Sequence, residues 1–291
     1  MPADGAAAEG PALRLRSLLF VPGDQPERME KALVAGADAL ILDLEDSVVP
    51  ARKEQARERV CGFLRRSDGV MPRFVRINPL AGDLADADLE AVMRARPDGL
   101  VLPKAQGAAS VRELDRRLAA LGAGLPPILP IATETPQALF GLGEYGQVSG
   151  RLAGLTWGVE DLSAAIGALS ARESDDSYTE PYRLARSLAL FAAAAADVAA
   201  IETVFPAYRD LAGLAAYARR GMRDGFAGMM AIHPVQLPVI NAAFTPSPGA
   251  LEHARAVVAL FEAHPGAGAL ALEGRMIDAP HLKQALRLLS R

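Results

Sequence analysis

Short apolar runs recur along the chain, each closed by a turn signal and followed by a stretch with helical spacing. Residues 17–21 (SLLFV) stop at Pro22-Gly23, and 25–35 then carry helical spacing with Pro26 suited to a first turn. Residues 39–44 (ALILDL) lead into Glu45-Asp46-Ser47 and a helical stretch over 51–65. The third run, 73–77 (RFVRI), closes on Asn78-Pro79 and precedes a helix over 86–95. Residues 99–102 (GLVL) end at Pro103-Lys104, with a helix over 111–121. The proline-bounded stretch 127–135 (PILPIATET) reads as a buried strand of a parallel sheet, with Glu134 just past its carboxyl end. Residues 152–157 repeat the design with Asp161 beyond them. An acidic, polar loop over 170–180 then precedes an alanine-rich helix over 181–196. Residues 198–201 and 228–232 are strands seven and eight, with a helix over 210–220 between them.

A doubly wound sheet also alternates in this way. Eight regular units with acidic and basic groups at the strand ends favour a closed (β/α)8 TIM barrel spanning 17–242. Past His233-Pro234 the pattern changes. Helical stretches over 235–242 and 252–264 flank the turn-rich Thr245-Pro246-Ser247-Pro248-Gly249. A Gly- and Ala-rich segment over 265–274 reads as flexible, and the chain ends on an amphipathic helix with Leu282, Leu286 and Leu289 on one side. Residues 243–291 are therefore expected to form a C-terminal helical extension and lid, its flexible link permitting docking on a neighbouring subunit. Residues 1–16 are small and polar without a signal-peptide core, which predicts a disordered tail on a cytoplasmic protein.

Composition narrows the function classes. Hydrophobic residues make up 51% and charged residues 23% of the 291, enough for a large packed core and against disorder. The net charge of −4 comes with no basic block, which excludes the usual nucleic-acid footprint. No apolar run approaches the ~18 residues of a membrane span. The single cysteine, Cys61, lies in a helical pattern and reads as an inert packed residue. The four histidines lack zinc spacing. Gly-x-Gly-x-x-Gly and P-loop patterns are absent, which lowers nicotinamide and ATP readings.

Candidate chemistry gathers at strand ends. Glu134 and Asp161 stand at adjacent ones, and Mg²⁺ is usually held by one or two carboxylates plus water and substrate oxygens. Their competing role is to cap the following helices. Arg76 offers a guanidinium for a carboxylate or an enolate oxygen, or else a salt bridge to Asp43 or Glu45. Asp43, Glu45 and Asp46 form an acidic set suited to orienting metal-bound water, with helix capping by Asp46 or Ser47 as the alternative. Lys104 adds positive charge near the site or is solvated. Arg28 and Lys31, one helical face after Gly23, either bind phosphates of a nucleotide-like cofactor or face solvent.

Several motifs occur in order: SLLFVPG at 17–23, LDLEDSV at 42–48, Arg76-Ile77-Asn78, Leu102-Pro103-Lys104, Glu134-Thr135, GVEDL at 158–162 and Ala231-Ile232-His233-Pro234. Together they closely resemble the citrate lyase β-subunit-like branch of the HpcH/HpaI aldolase superfamily, from Ser17 to about Leu289. The resemblance implies a Mg²⁺-dependent barrel enzyme that cleaves or forms a carbon–carbon bond in a 3-hydroxyacyl-CoA thioester such as malyl-, citramalyl- or citryl-CoA. It implies Glu134 and Asp161 as metal ligands and Arg76 as the group on the oxo-acid and enolate. Asp43 and Glu45 join them as catalytic candidates, Lys104 as a substrate contact, and Arg28 and Lys31 as contacts to coenzyme A. The motif Gly274-Arg275-Met276-Ile277-Asp278 resembles a lid whose aspartate works in a neighbour's site, in trimers or hexamers built from them; Asp278 is otherwise a plain helix cap. Two positions depart from the family pattern. Gln106 stands where glutamate is frequent, and Glu202 where aspartate is common. Competing expectations are a citrate lyase subunit acting on an acyl-carrier-protein thioester, a malate-synthase-like or thioesterase activity, and a metal-independent binding protein.

Overall fold

The computed structural model describes residues 14–66 and 71–290. Along the chain lie β1 (Ser17–Pro22), α1 (Pro26–Ala32), β2 (Ala39–Asp43), α2 (Lys53–Arg66), β3 (Arg73–Arg76), α3 (Ala85–Arg94), β4 (Gly99–Leu102), α4 (Ala108–Ala120) and β5 (Ile128–Pro130). Then come α5 (Pro136–Gly141), β6 (Leu155–Thr156), α6 (Glu160–Ile166), α7 (Glu180–Ala195), β7 (Ala200–Glu202), α8 (Leu211–Asp224), β8 (Gly228–Ala231) and α9 (Leu237–Ala243). The last elements are α10 (Pro248–Ala263), β9 (Ala269–Leu272), β10 (Arg275–Asp278) and α11 (Ala279–Leu289). Two compact units result, Leu15–Phe244 and the residues from Thr245 onward.

In the first unit β1 to β8 run parallel in the order β5-β4-β3-β2-β1-β8-β7-β6, the sheet of a TIM barrel. Alternation along each strand sorts the side chains into two layers. Leu18, Ile41, Phe74, Val101, Leu129, Ile201 and Met230 fill the barrel, while Leu19, Val21, Leu40, Leu42 and Val75 pack outward against the helices. Gly99 makes room in this interior, because a Cβ there would fall 2.2 Å from the Phe74 ring.

Closure between β5 and β6 is thin. Pro127 and Pro130 lack an N–H, and only two isolated bridges, Ile128 to Leu152 and Ile131 to Thr156, join these strands. The Thr133 hydroxyl stitches the seam further on, donating to the Gly158 carbonyl at 2.9 Å and accepting from Gly158 N at 3.0 Å. Strand pairing therefore leaves β6 at two residues, where the apolar run over 152–157 predicts more.

Arg16 and Leu15 belong to the barrel rather than to a tail: Leu15 is buried and Arg16 pairs with Asp38 at 2.7 Å. Residues 1–13 of the expected tail lie outside the described residues. In the second unit, the segment expected to be flexible over 265–274 instead contributes β9 to an antiparallel hairpin with β10, Leu272 opposite Arg275 and Ala269 opposite Asp278. Leu270, Leu272 and Ile277 pack with Val257, Phe261 and Leu288 of α10 and α11, and this burial outweighs the weak strand tendency of Gly and Ala. No helix among the described residues is long and apolar enough to cross a membrane.

Candidate active site

A cavity of about 410 Å³ opens at the carboxyl ends of the barrel strands. Its polar wall carries Asp43, Asp46, Arg76, Glu134 and Asp161, its apolar wall Phe20, Ile131, Val204, Met230 and Ile232, with Arg28 and Tyr178 also lining it. This is the face on which a parallel barrel can vary side chains freely, because loops rather than ladder bonds hold them.

Register places Asp43 of β2 directly beside Arg76 of β3. The pair is bidentate, Arg76 Nε donating to Asp43 Oδ1 and Nη2 to Oδ2, both at 2.7 Å. Nη1 lies 2.9 Å from Glu45 Oε2 and 3.3 Å from Asp46 Oδ2, and the guanidinium sits 4.8 Å over the Phe20 ring. The salt-bridge alternative for Arg76 is thus present in the same geometry that puts Arg76 on the cavity wall. Burial alone would raise the Asp43 carboxyl, but Arg76's hydrogen bonds and charge hold it below the ordinary carboxylate range. Burial opposes the charge of Arg76, yet Asp43 keeps that group firmly protonated. Asp43 also accepts from Glu45 N at 2.9 Å and Ser47 N at 3.0 Å, so one carboxylate shapes the whole loop after β2. Neither Asp46 nor Ser47 caps the next helical turn, whose N-cap is Val49.

The remaining acids meet at Lys104. Its ammonium lies 3.2 Å from Glu45 Oε1 and 3.3 Å from Asp161 Oδ1, and its backbone N donates to Glu134 Oε2 at 2.5 Å. To do this Lys104 adopts a left-handed φ of 52°, a cost that a side chain bears only where surroundings enforce it. Glu134 is buried, and its pKa is pushed up to about 8 by burial and by the charges of Glu45 and Asp161, against the Lys104 N–H. Glu45, raised by burial and Asp46 against the pull of Arg76 and Lys104, reaches about 7. Burial disfavours the Lys104 charge, but Glu45 and Asp161 outweigh it and hold that group above its ordinary value. Helix capping does not explain Glu134, because Thr135 is the N-cap of α5 and its hydroxyl accepts from Ala138 N. Asp161 sits in the first turn of α6 without capping it.

The profile of the HpcH/HpaI aldolase/citrate lyase family matches residues 16–234. The (3S)-malyl-CoA thioesterase of Cereibacter sphaeroides is 34% identical over 285 residues, covering 95% of this chain and 94% of that protein. Mitochondrial citramalyl-CoA lyase of Mus musculus is 33% identical, covering 94% and 85%. The chain belongs to the HpcH/HpaI aldolase/citrate lyase family. Among solved structures, the CitE protein of Mycobacterium tuberculosis in complex with magnesium, acetoacetate and coenzyme A superimposes with a TM-score of 0.77 at 35% identity, covering 95% of this chain and 97% of that one.

Within this HpcH/HpaI site the donor set suits a hard divalent cation. Glu134 and Asp161 supply only oxygen, and a bound cation would offset the burial and the neighbouring negative charge that raise Glu134. No cluster of three or more His, Cys, Asp or Glu poised to hold a metal occurs among the described residues, so water and substrate would complete the coordination shell.

Other expected site residues lie elsewhere. Glu45 and Lys104 do not line the cavity but contact Arg76 and Asp161, Arg28 lines it, and Lys31 is exposed outside the lining. Gln106 reaches Thr135 Oγ1 at 3.3 Å on the exposed side. Asp278 is the N-cap of α11, its Oδ1 2.6 Å from His281 Nδ1.

Sequence reasoning missed Lys53, which is nearly buried and donates to Leu44 O at 2.7 Å, Glu45 O at 2.7 Å and Asn78 Oδ1 at 2.8 Å. It pins the backbone beneath Glu45 from the start of α2. Its only trace was an interior lysine in an amphipathic helix. Tyr178 was missed as well, being delivered to the wall by a polar loop.

Proposed function

We propose that this chain is a Mg²⁺-dependent carbon–carbon lyase that cleaves a 3-hydroxyacyl-CoA thioester into a 2-oxo acid and an acyl-CoA. The observation that carries the reading is one arginine, Arg76, oriented by Asp43 on a cavity wall that also presents Glu134 and Asp161. Glu134 and Asp161 would hold the ion. When bound, it supplies Lewis-acid stabilisation and a template for the chelating oxo-acid oxygens.

Cleavage needs the 3-hydroxyl to lose its proton, the bond between the thioester α-carbon and the carbinol carbon to break, and its electron pair to enter the thioester enolate. Arg76 offsets the negative charge that develops as this happens, and Asp43 removes the reorganisation cost by fixing the guanidinium beforehand. Glu45, near pKa 7 and in contact with Lys104 and with Arg76 of the wall, is suited to take up and return a proton beside that arginine. Phe20, Ile131, Val204 and Met230 make the facing wall apolar. Asp278, acting in the site of a neighbouring subunit, is the group we assign to protonating the enolate carbon, and the coenzyme A phosphates are assigned to Arg28. A trimeric or hexameric assembly is inferred from the same resemblance.

Similarity to the (3S)-malyl-CoA thioesterase favours one second reading, hydrolysis of the thioester in the same cavity. Malyl-CoA, citramalyl-CoA and citryl-CoA, each with Mg²⁺ or EDTA, separate the two. Release of an oxo acid trapped by phenylhydrazine, without free thiol, supports the lyase; free coenzyme A thiol without oxo acid supports hydrolysis. Glu134→Ala is expected to abolish the Mg²⁺-dependent release, and an active Glu134→Ala protein refutes the assignment.

A further inference from the structure

Between the barrel and its surrounding helices lies a carboxylate the proposed reaction does not use. Glu202, at the end of β7, is fully buried. Its Oε1 accepts three hydrogen bonds, from Trp157 Nε1 at 2.5 Å, Tyr217 OH at 2.9 Å and its neighbour Thr203 N at 3.0 Å. Its Oε2 accepts from Arg186 Nε at 2.7 Å, and Arg186 is held in turn by Asp224 at 2.9 Å and by the Phe226 face. Four donors from the ends of β6 and β7 and from α7 and α8 thus converge on one side chain.

What that side chain holds is the strand end bearing the site. Trp157 directly precedes Gly158, and Gly158 is the floor on which Glu134 rests: a Cβ there would stand 3.0 Å from Glu134 Cγ. Asp161 lies three residues beyond Gly158. The strand itself is two residues long and weakly paired to β5, so ladder bonds alone leave this end poorly fixed. The Trp157 ring also packs edge-on against Tyr178 at 5.4 Å, and Tyr178 lines the cavity.

We propose that Glu202 is a positioning residue for the cation-binding carboxylates, fixing Trp157 and through it the turn that sets Gly158, Asp161 and the seat of Glu134. The inference rests on the reading that Glu134 and Asp161 hold the cation. Reach decides it. A carboxylate one methylene shorter keeps its charge for Arg186 but falls short of the indole.

The test is direct binding of Mn²⁺ to the full chain, followed by electron paramagnetic resonance of the free ion, with the emission of Trp157, the single tryptophan, as a second readout. Glu202→Asp is expected to weaken Mn²⁺ binding about tenfold or more and to shift the Trp157 emission. Glu202→Gln keeps an oxygen within reach of the indole and is expected to bind within about threefold of the parent, well short of the loss typical of a misplaced ligand. Tyr217→Phe removes one bond to the same oxygen without touching Trp157, and is expected to leave binding unchanged. If Glu202→Asp does not fold, Trp157→Phe, which deletes the Nε1 donor and keeps a ring in the slot, carries the same expected loss. Parent-like Mn²⁺ binding by a folded Glu202→Asp or Trp157→Phe overturns the proposal. Parent-like binding by Glu134→Gln instead overturns the assignment of the cation site.

Discussion

Replacing Asp43 by asparagine probes how much the site depends on one buried ion pair. Side-chain exposure is 1% for Asp43 and 10% for Arg76, so the amide leaves a guanidinium with little solvent to compensate it. Breaking such a pair from one side costs about 3–5 kcal/mol. Glu45 at 2.9 Å and Asp46 at 3.3 Å remain as partners, and the amide oxygen still accepts one bond. The low end, about 3 kcal/mol, is therefore expected. For a domain of this size that corresponds to a fall of about 6–12 °C in the thermal midpoint, read by circular dichroism at pH 6 with EDTA present. Loss of Arg76's orientation should also lower kcat about 100-fold. The sign with pH comes from the depressed folded pKa of Asp43. Its stabilisation is present above the ordinary carboxylate value of 3.8 and is lost as pH falls through the lower folded value, so the gap between the two proteins narrows only in that acid range. A midpoint within 2 °C of the parent at pH 6, roughly what under 1 kcal/mol would produce, refutes the reasoning.

Three further outcomes are expected. Gly158→Ala places a methyl 3.0 Å from Glu134 Cγ and 3.3 Å from Ile131 Cγ2, costing about 1–3 kcal/mol of stability and weakening Mn²⁺ binding; unchanged binding contradicts the contact. In EDTA, Glu134's folded pKa of about 8 exceeds its ordinary 4.5, so its contribution is full below 4.5 and is lost as pH rises through 8. Glu134→Gln should flatten that decline, as chemical denaturation at pH 6 and pH 9 would reveal. Lys53→Met removes a donor from Leu44 O and Glu45 O, which keep Asn78 Nδ2 and Val48 N, and leaves Asn78 Oδ1 without its partner, so stability is expected to fall by about 1–3 kcal/mol. A urea midpoint equal to the parent's would show that water replaces the ammonium.

What was legible in the sequence was whatever repeats locally. The barrel strands announced themselves because each needs only a short apolar run and a turn signal; Asp43 and Arg76 close their strands, and Glu134 and Asp161 follow theirs by four and five residues. The neighbouring register of Asp43 and Arg76 came from strand order, which is why a salt bridge between them stood as an alternative beforehand. The hairpin of β9 and β10 was illegible, since Gly and Ala carry little strand signal and its pairing is stabilised by packing on α10 and α11.

By itself, then, the chain's pattern determined the architecture and the strand ends where chemistry collects, because periodicity and turn residues act over a few positions. Only the tertiary structure decided the electrostatics. Lys104 touches three acids that lie 30 to 59 positions away in sequence (residues 134, 161 and 45 against 104), and Glu202 gathers donors from four elements. Burial and proximity set the pKa values of Glu45 and Glu134, and neither quantity exists until the barrel closes.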